Sequence, residues 1–286
     1  MYPTLGPTHL GITVDLPGAL ALAKRHGFAG VEFDLGEAAV LVEQRGIEAT
    51  RALFTGAEIR PAHVGLGVDL RDDDATYHAG LERLRHLAPL APQLGCHRTA
   101  TAIRSFSNTL PYDENFAWWL GRLRPVAQVL ADHGCRFGLE FIGPKTKRQG
   151  AAYDFISTAG KMLELARATG PNVGLLHDAW HWYTSGGTLA EIGELTNEDI
   201  VVVHVNDAPA GIERDEHIDN QREMPMETGV IDLPGYLRAL DAIGYDGPVT
   251  TEPFNARIRT LSPDDAVAET ADRLRHAFQV ANVVPS

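Results

Sequence analysis

Apolar, strand-like runs alternate with amphipathic helical segments from one end of this 286-residue chain to the other. The runs are THLGITV (8–14), GVEFDL (30–35), IRPAHVGLGV (59–68), RTATAIRSF (98–106), RFGLEFIG (136–143), NVGLLHDAW (172–180), IVVVHVND (200–207) and GPVTTEPF (247–254). Between them, segments such as LPGALALAKRHGF, NFAWWLGRLRPVAQVLADHG and LPGYLRALDAIGY place apolar residues at three- and four-residue spacing, the period of a helix with one buried face. Helix starts carry Pro or a capping polar residue, as in Ser262-Pro263 and Asp232-Leu233-Pro234, and Gly27, Gly134, Gly170 and Gly244 close helices. Strands joined through helices lie parallel. Eight such units, without a glycine-rich dinucleotide turn, favour an α/β fold closed as a (β/α)8 TIM barrel, one domain over 1–286, rather than an open doubly wound sheet. A distorted barrel with seven or fewer helices is the nearest alternative.

Four of the runs end on a group that an apolar strand does not need: Glu140 in FGLEFIG, Asp178 in VGLLHDAWHWY, His204 in IVVVHVND and Glu252 in PVTTEPF. A carboxylate closing a strand that is buried on both faces costs free energy unless a cation or hydrogen bonds compensate it. A barrel brings the C-terminal ends of its strands to one face, so four distant residues become one site. Three carboxylates and one imidazole form an oxygen-rich ligand set that suits Mn²⁺, Mg²⁺ or Co²⁺ better than a closed structural zinc site. The expected cofactor is one divalent metal ion, with Mn²⁺ the first choice and Zn²⁺ also compatible.

Charge and composition exclude several classes. With 25 basic against 38 acidic residues, the net charge of −13 repels nucleic acid. No apolar run approaches the roughly 20 residues that span a bilayer, and MYPTLGPTHL lacks the features of a secretory leader, so neither a membrane nor an export route is expected. Cys96 and Cys135 belong to no ligand-spaced cluster and are expected to be small buried side chains of a protein working in the reducing cytoplasm.

The motifs LEFIGPK around Glu140, LLHDAWHWY around Asp178, HVND around His204, the stretch from Arg222 to Asp232 and GYDGPVTTEPF around Glu252 resemble, in this order, the xylose-isomerase-like sugar isomerase/epimerase superfamily. That superfamily includes ketose 3-epimerases, inosose dehydratases and hydroxypyruvate isomerases, and more distantly metal-dependent apurinic endonucleases. The resemblance covers nearly the whole chain. One departure follows Arg222, where many relatives read PGEG and this chain reads PMETG. The resemblance implies one metal held by Glu140, Asp178, His204 and Glu252. It also implies that Glu140 and Glu252 shuttle the proton, and that His181 and Arg222 hydrogen-bond substrate oxygens. Relatives commonly associate through barrel faces, so the resemblance is compatible with a homo-oligomer, while the sequence itself leaves the oligomeric state open.

Moving a proton on a carbon beside a carbonyl needs an acid/base group on each side of the substrate and an electrophile for the developing oxyanion. The expected activity is therefore a divalent-metal-dependent isomerase or epimerase that acts on a keto-sugar or polyol derivative by α-proton transfer through a metal-bound enediolate. A lyase or dehydratase that expels a leaving group from the same intermediate is the alternative. A nuclease or a catalytically inactive barrel ranks below both.

Other residues have a bland reading and a functional one. His63 and Glu32 could orient substrate or ligands, although hydrogen-bonded barrel residues are commoner. His9 is placed on strand one. Trp180, with Trp182, Tyr183 and Phe254, could wall a sugar site, against ordinary packing. His177, adjacent to Asp178, should face the helix layer because side chains alternate along a strand. Lys145, Lys147 and Arg148 form a charge run that is usually a solvated loop, and a phosphorylated substrate is not inferred from it. The long stretches 144–153 and 208–229 each follow a proposed ligand, and loops at that end of a barrel carry function.

Overall fold

In a computed structural model that describes residues 1–71 and 73–286, eight parallel strands close into a barrel. They are β1 (Tyr2–Leu5), β2 (Gly30–Phe33), β3 (Arg60–Gly65), β4 (Arg98–Ile103), β5 (Arg136–Phe141), β6 (Val173–Asp178), β7 (Ile200–Val205) and β8 (Pro248–Thr251). β1 pairs with both β2 and β8, which completes the ring. A two-residue antiparallel pairing outside the barrel, Phe106–Ser107 with Tyr153–Asp154, joins the segments that follow β4 and β5.

Seven of the eight runs read from the sequence contain their strand. The first does not: β1 is Tyr2–Leu5, whereas 8–14 holds a 3-10 turn at Pro7–Leu10 and a connection into the helix Leu16–His26. Pro3 makes 2–5 a poor strand by pattern, since proline donates nothing to a ladder. The apolar signal of 8–14 comes instead from Leu10 and Ile12, which are buried in the connection. Pro61 in β3 has a local consequence as well. Next to it the β2–β3 register slips between Val31 and Glu32, so that Glu32 pairs with His63.

Helices wrap the barrel with the caps expected. Asp232 accepts from Gly235 N and Ser262 from Asp265 N, each with Pro in the first turn, and Gly27 ends its helix at φ 78. Helix Leu233–Ala242 turns Leu233, Tyr236, Leu237 and Leu240 inward. Each such burial contributes about 1.5–3 kcal/mol. Tyr236 also meets β6: its hydroxyl donates to the His177 carbonyl (2.9 Å) and lies 2.6 Å from His177 Nδ1. His177 therefore faces the helix layer as expected, and burial pushes its pKa down to about 4. Both cysteines are buried and free, and no described helix is long and apolar enough to cross a membrane.

Candidate metal centre and substrate pocket

β6, β7 and β8 are in register at the mouth, with Asp178 opposite His204 and His204 opposite Thr250. Glu252 follows the last residue of β8, and Glu140 stands one residue before the end of β5. Strand alternation and this register turn the four side chains to the same side. Glu140, Asp178, His204 and Glu252 each offer a ligand atom within 4.8 Å of the others, and all four are buried.

The donor set fits a cation. Glu140 Oε1 and both ring nitrogens of His204 are buried without a hydrogen-bond partner. Burial, with the Glu252 and Asp178 charges beside it, pushes the Glu140 carboxyl well above the usual range. Burial also opposes ionisation of Glu252, but the His204 ring 3.5 Å away, the His9 ring at 3.1 Å and Arg222 outweigh it and hold its pKa well down. Carboxylates crowded in this way are relieved by a positive ion.

Arg222 is buried among these acids. Its Nη1 donates to Asp178 Oδ2 (2.7 Å) and Glu252 Oε2 (3.0 Å), and its Nη2 to Asp219 Oδ1 (3.2 Å), while the guanidinium lies 4.8 Å from the Phe254 ring centroid. The loop that delivers it is tied down by Asp207, whose carboxylate accepts from the backbone N–H groups of Thr228, Gly229 and Ile231 at 2.7–3.0 Å. Within that loop Met226 takes φ 62, a left-handed conformation, at the position where PGEG has its first glycine. The altered motif thus keeps the turn at a backbone cost.

His181 sits on the short helix Ala179–Thr184. Gly143 N–H donates to its Nδ1 (3.2 Å), and burial pushes the ring pKa down to about 4, so the neutral ring carries its proton on Nε2. That Nε2 lies 3.2 Å from Arg222 Nη2 and 3.8 Å from Glu140 Oε1. Two donors this close, with no acceptor shared between them, converge where a substrate oxygen would accept from both. Gly143 permits the approach: a Cβ there would meet the His181 carbonyl oxygen at 2.2 Å and Thr184 Oγ1 at 2.5 Å. Gly143→Ala is expected to destabilise the fold by about 1–3 kcal/mol. It should also weaken substrate handling through His181, as thermal melts and KM would show.

His9, placed on a strand by its sequence pattern, lies instead in the 3-10 turn after β1 and reaches the centre of the mouth. Its Nε2 is 2.8 Å from Glu32 Oε2, its Nδ1 is 3.1 Å from Glu252 Oε1, and its ring meets the His204 ring edge-on at 5.0 Å. His9, His204 and Glu252 form a second donor group overlapping the first. Gly6 makes room for it, since a Cβ there would stand 2.4 Å from the His9 ring. Burial opposes charge on His9, but Glu32 and Glu252 raise its pKa to about 9. This stabilisation is complete below the unfolded value of about 6.5 and is lost as pH rises through about 9. Without metal, the Tm of the wild type is expected to fall between about pH 7 and 9.5 more steeply than that of His9→Gln; parallel profiles would refute the pairing.

His63 reaches the same mouth, 3.9 Å from Glu32 Oε1, on a cleft lined with His9 and Glu32 rather than on the cavity above Glu140. That cavity, of about 510 Å³, is lined by Glu140, Glu252, His181, Arg222 and Phe254, among others. Trp180 does not line it. Its ring is fully buried against His217 and Arg222, so among the aromatics considered Phe254 is the one that meets the cavity. Trp182 likewise packs on Tyr236.

The charge run after β5 is engaged by the loop after β7. Lys145 pairs with Asp215 (2.8 Å), the Thr146 hydroxyl donates to the His217 carbonyl (2.7 Å), and Lys147 pairs with Asp219 (3.4 Å). Three consecutive residues thus clip three alternate ones, and the last of these holds Arg222.

Comparison with known proteins gives the family of the barrel. The family model described as "Xylose isomerase-like TIM barrel" matches residues 20–277. An inosose isomerase of Bacillus licheniformis is 27% identical over 151 residues, 51% of this chain and 49% of that protein. A 3-dehydroshikimate dehydratase of Pseudomonas aeruginosa is 32% identical over 143 residues, 48% and 20% of the two chains. A ketose 3-epimerase of Arthrobacter globiformis is 26% identical over 205 residues, 68% and 61%. The chain spans about half the length of the inosose isomerases it matches. A xylose isomerase domain protein of Alicyclobacillus acidocaldarius superimposes with TM-score 0.87 at 28% identity over 99% of both chains. The IolI protein, whose structure contains a zinc atom, superimposes with TM-score 0.79 at 19% identity over 99% of this chain and 98% of that one. With a closed eight-stranded barrel and a family model covering most of its length, this chain belongs to the xylose isomerase-like TIM barrel family.

Proposed function

We propose that this protein is a divalent-metal-dependent isomerase or epimerase that acts on a keto-sugar or polyol derivative by α-proton transfer. The observation that carries the reading is the convergence of Glu140, Asp178, His204 and Glu252 within 4.8 Å, with Glu140 and Glu252 lining a cavity of about 510 Å³. These four would hold the ion, with Mn²⁺ preferred on ligand type and Mg²⁺, Co²⁺ or Zn²⁺ as alternatives. When bound, it supplies Lewis-acid polarisation of a carbonyl and its neighbouring hydroxyl.

The chain's own groups do the rest. Glu140 and Glu252 come from strands on opposite sides of the ligand set, and one carboxylate oxygen takes the α-proton while the other carboxyl returns one. His181 Nε2–H and Arg222 Nη2–H donate to a substrate oxygen and steady the charge that develops there. Phe254 gives the cavity an apolar wall. His9 and Glu32 hold Glu252 from behind, which fixes the carboxylate's orientation.

The similarity to a dehydratase supports a second reading, elimination of water after the same proton abstraction. Incubation of ketoses, inososes and 3-keto-glycosides with Mn²⁺-loaded protein in D₂O separates the two. Deuterium uptake with the molecule otherwise intact supports isomerisation, and loss of water supports elimination. Absence of exchange across the whole set would sink both.

A further inference from the structure

The cavity is electrically polarised. Glu140 and Glu252, from the ends of β5 and β8, line it together with Arg71, Arg104 and Lys147, contributed by the connections after β3, β4 and β5. Arg222 is spoken for by Asp178, Glu252 and Asp219, and Lys147 faces Asp219. Among the described residues the other two cations have little to neutralise them. Among the described residues Arg104 has no ion pair, its guanidinium resting 5.2 Å from the Phe106 ring centroid. Arg71, among the described residues, has only a loose, exposed approach to Asp69 at 4.0 Å. Three nearby acids among the described residues are engaged elsewhere: Asp74 binds Arg122 at 2.6 Å, Asp73 caps the following helix, and Asp154 pairs with Arg148.

A second observation points the same way. Ser105, between Arg104 and Phe106, is 1% exposed and lines the cavity, yet its hydroxyl has no hydrogen-bond partner. Its backbone carbonyl accepts from Phe155 N (2.8 Å), and Phe106 pairs with Asp154, so the segment is held in place. An unsatisfied hydroxyl and two exposed guanidiniums on one cavity form a donor set suited to an anionic ligand.

We infer that Arg71, Arg104 and Ser105 bind an anionic group, a carboxylate or a phosphate, at the end of the substrate remote from its reacting carbonyl, so that the enzyme acts on acidic keto-sugars. This inference rests on the proposed proton-transfer reading for the orientation of the substrate. Guanidinium forks match both oxyanions bidentately, and the hydroxyl adds a third donor.

The test compares a neutral 2-ketohexose with its 6-carboxylate and its 6-phosphate on Mn²⁺-loaded protein, by calorimetric binding and by deuterium exchange. Wild type is expected to bind one of the anionic sugars about 10- to 100-fold more tightly than the neutral one. Arg71→Gln/Arg104→Gln, both exposed and remote from the core, should bring the two affinities together. The tighter of the two anions identifies the group. Equal binding of neutral and anionic sugars, a preference that survives the double substitution, or binding of neither anion overturns the inference. Exchange on the neutral ketose without charge preference would leave the proton-transfer reading standing and remove this one; charge preference without exchange on any sugar would do the reverse.

Discussion

Glu140→Gln and Glu252→Gln are each expected to lower turnover by about a thousandfold or more, the upper range for a lost acid/base group, because each glutamate would also supply a ligand to the proposed ion. The amide keeps the shape, so the fold should survive. Elemental analysis of the purified variants divides the loss: a variant that retains metal but fails to wash deuterium into substrate has lost the proton carrier, and one that loses metal has lost the ligand. Full turnover in either variant removes that residue from the mechanism.

Arg222→Met is expected to destabilise the metal-free protein by about 3–5 kcal/mol, the effect of removing one member of a buried ion cluster. With Asp178, Glu252 and Asp219 left facing one another, the Tm should fall by on the order of 10 °C. A divalent cation compensates the same carboxylates, so it should stabilise the variant by more than the wild type; a hundredfold excess over Kd is worth about 2.7 kcal/mol to a site of fixed affinity. Melting curves with and without Mn²⁺ read both effects. An unchanged apo Tm would show that the guanidinium is dispensable to the fold. From the sequence this arginine is a substrate-handling group; its burial among three acids makes it a structural one as well.

The fold was legible because the signal repeats. Seven apolar runs with capped helices between them point to a parallel barrel whichever one is misread. The convergence of the four candidate ligands was legible for a related reason, since an ionisable group at the end of a buried strand is conspicuous. His9 was not. It lies outside any strand, in a turn that reads as a strand because Leu10 and Ile12 are buried, while Pro3 disguises the real β1. The available signal was Gly6-Pro7, a turn dipeptide immediately before the histidine, which would have ended β1 early. Trp180 failed in the other direction. A ring two residues past a ligand looks like a site wall, but Asp178 caps the next helix through Trp180 N (2.6 Å), and that turn rotates the indole beneath the arginine. The partners of 145–147 were hidden because the matching acids are about 70 positions away.

Because 145–147 and 215–219 are clipped together, the two connections form a single mechanical unit. Anyone remodelling specificity by loop exchange must move both halves at once: a donor segment grafted after β5 alone would take Lys147 from Asp219, loosen one of the three acids that hold Arg222 and so disturb the proposed ligand set from outside it. Chimaeras carrying the matched pair should retain the ion, and mismatched chimaeras should shed it.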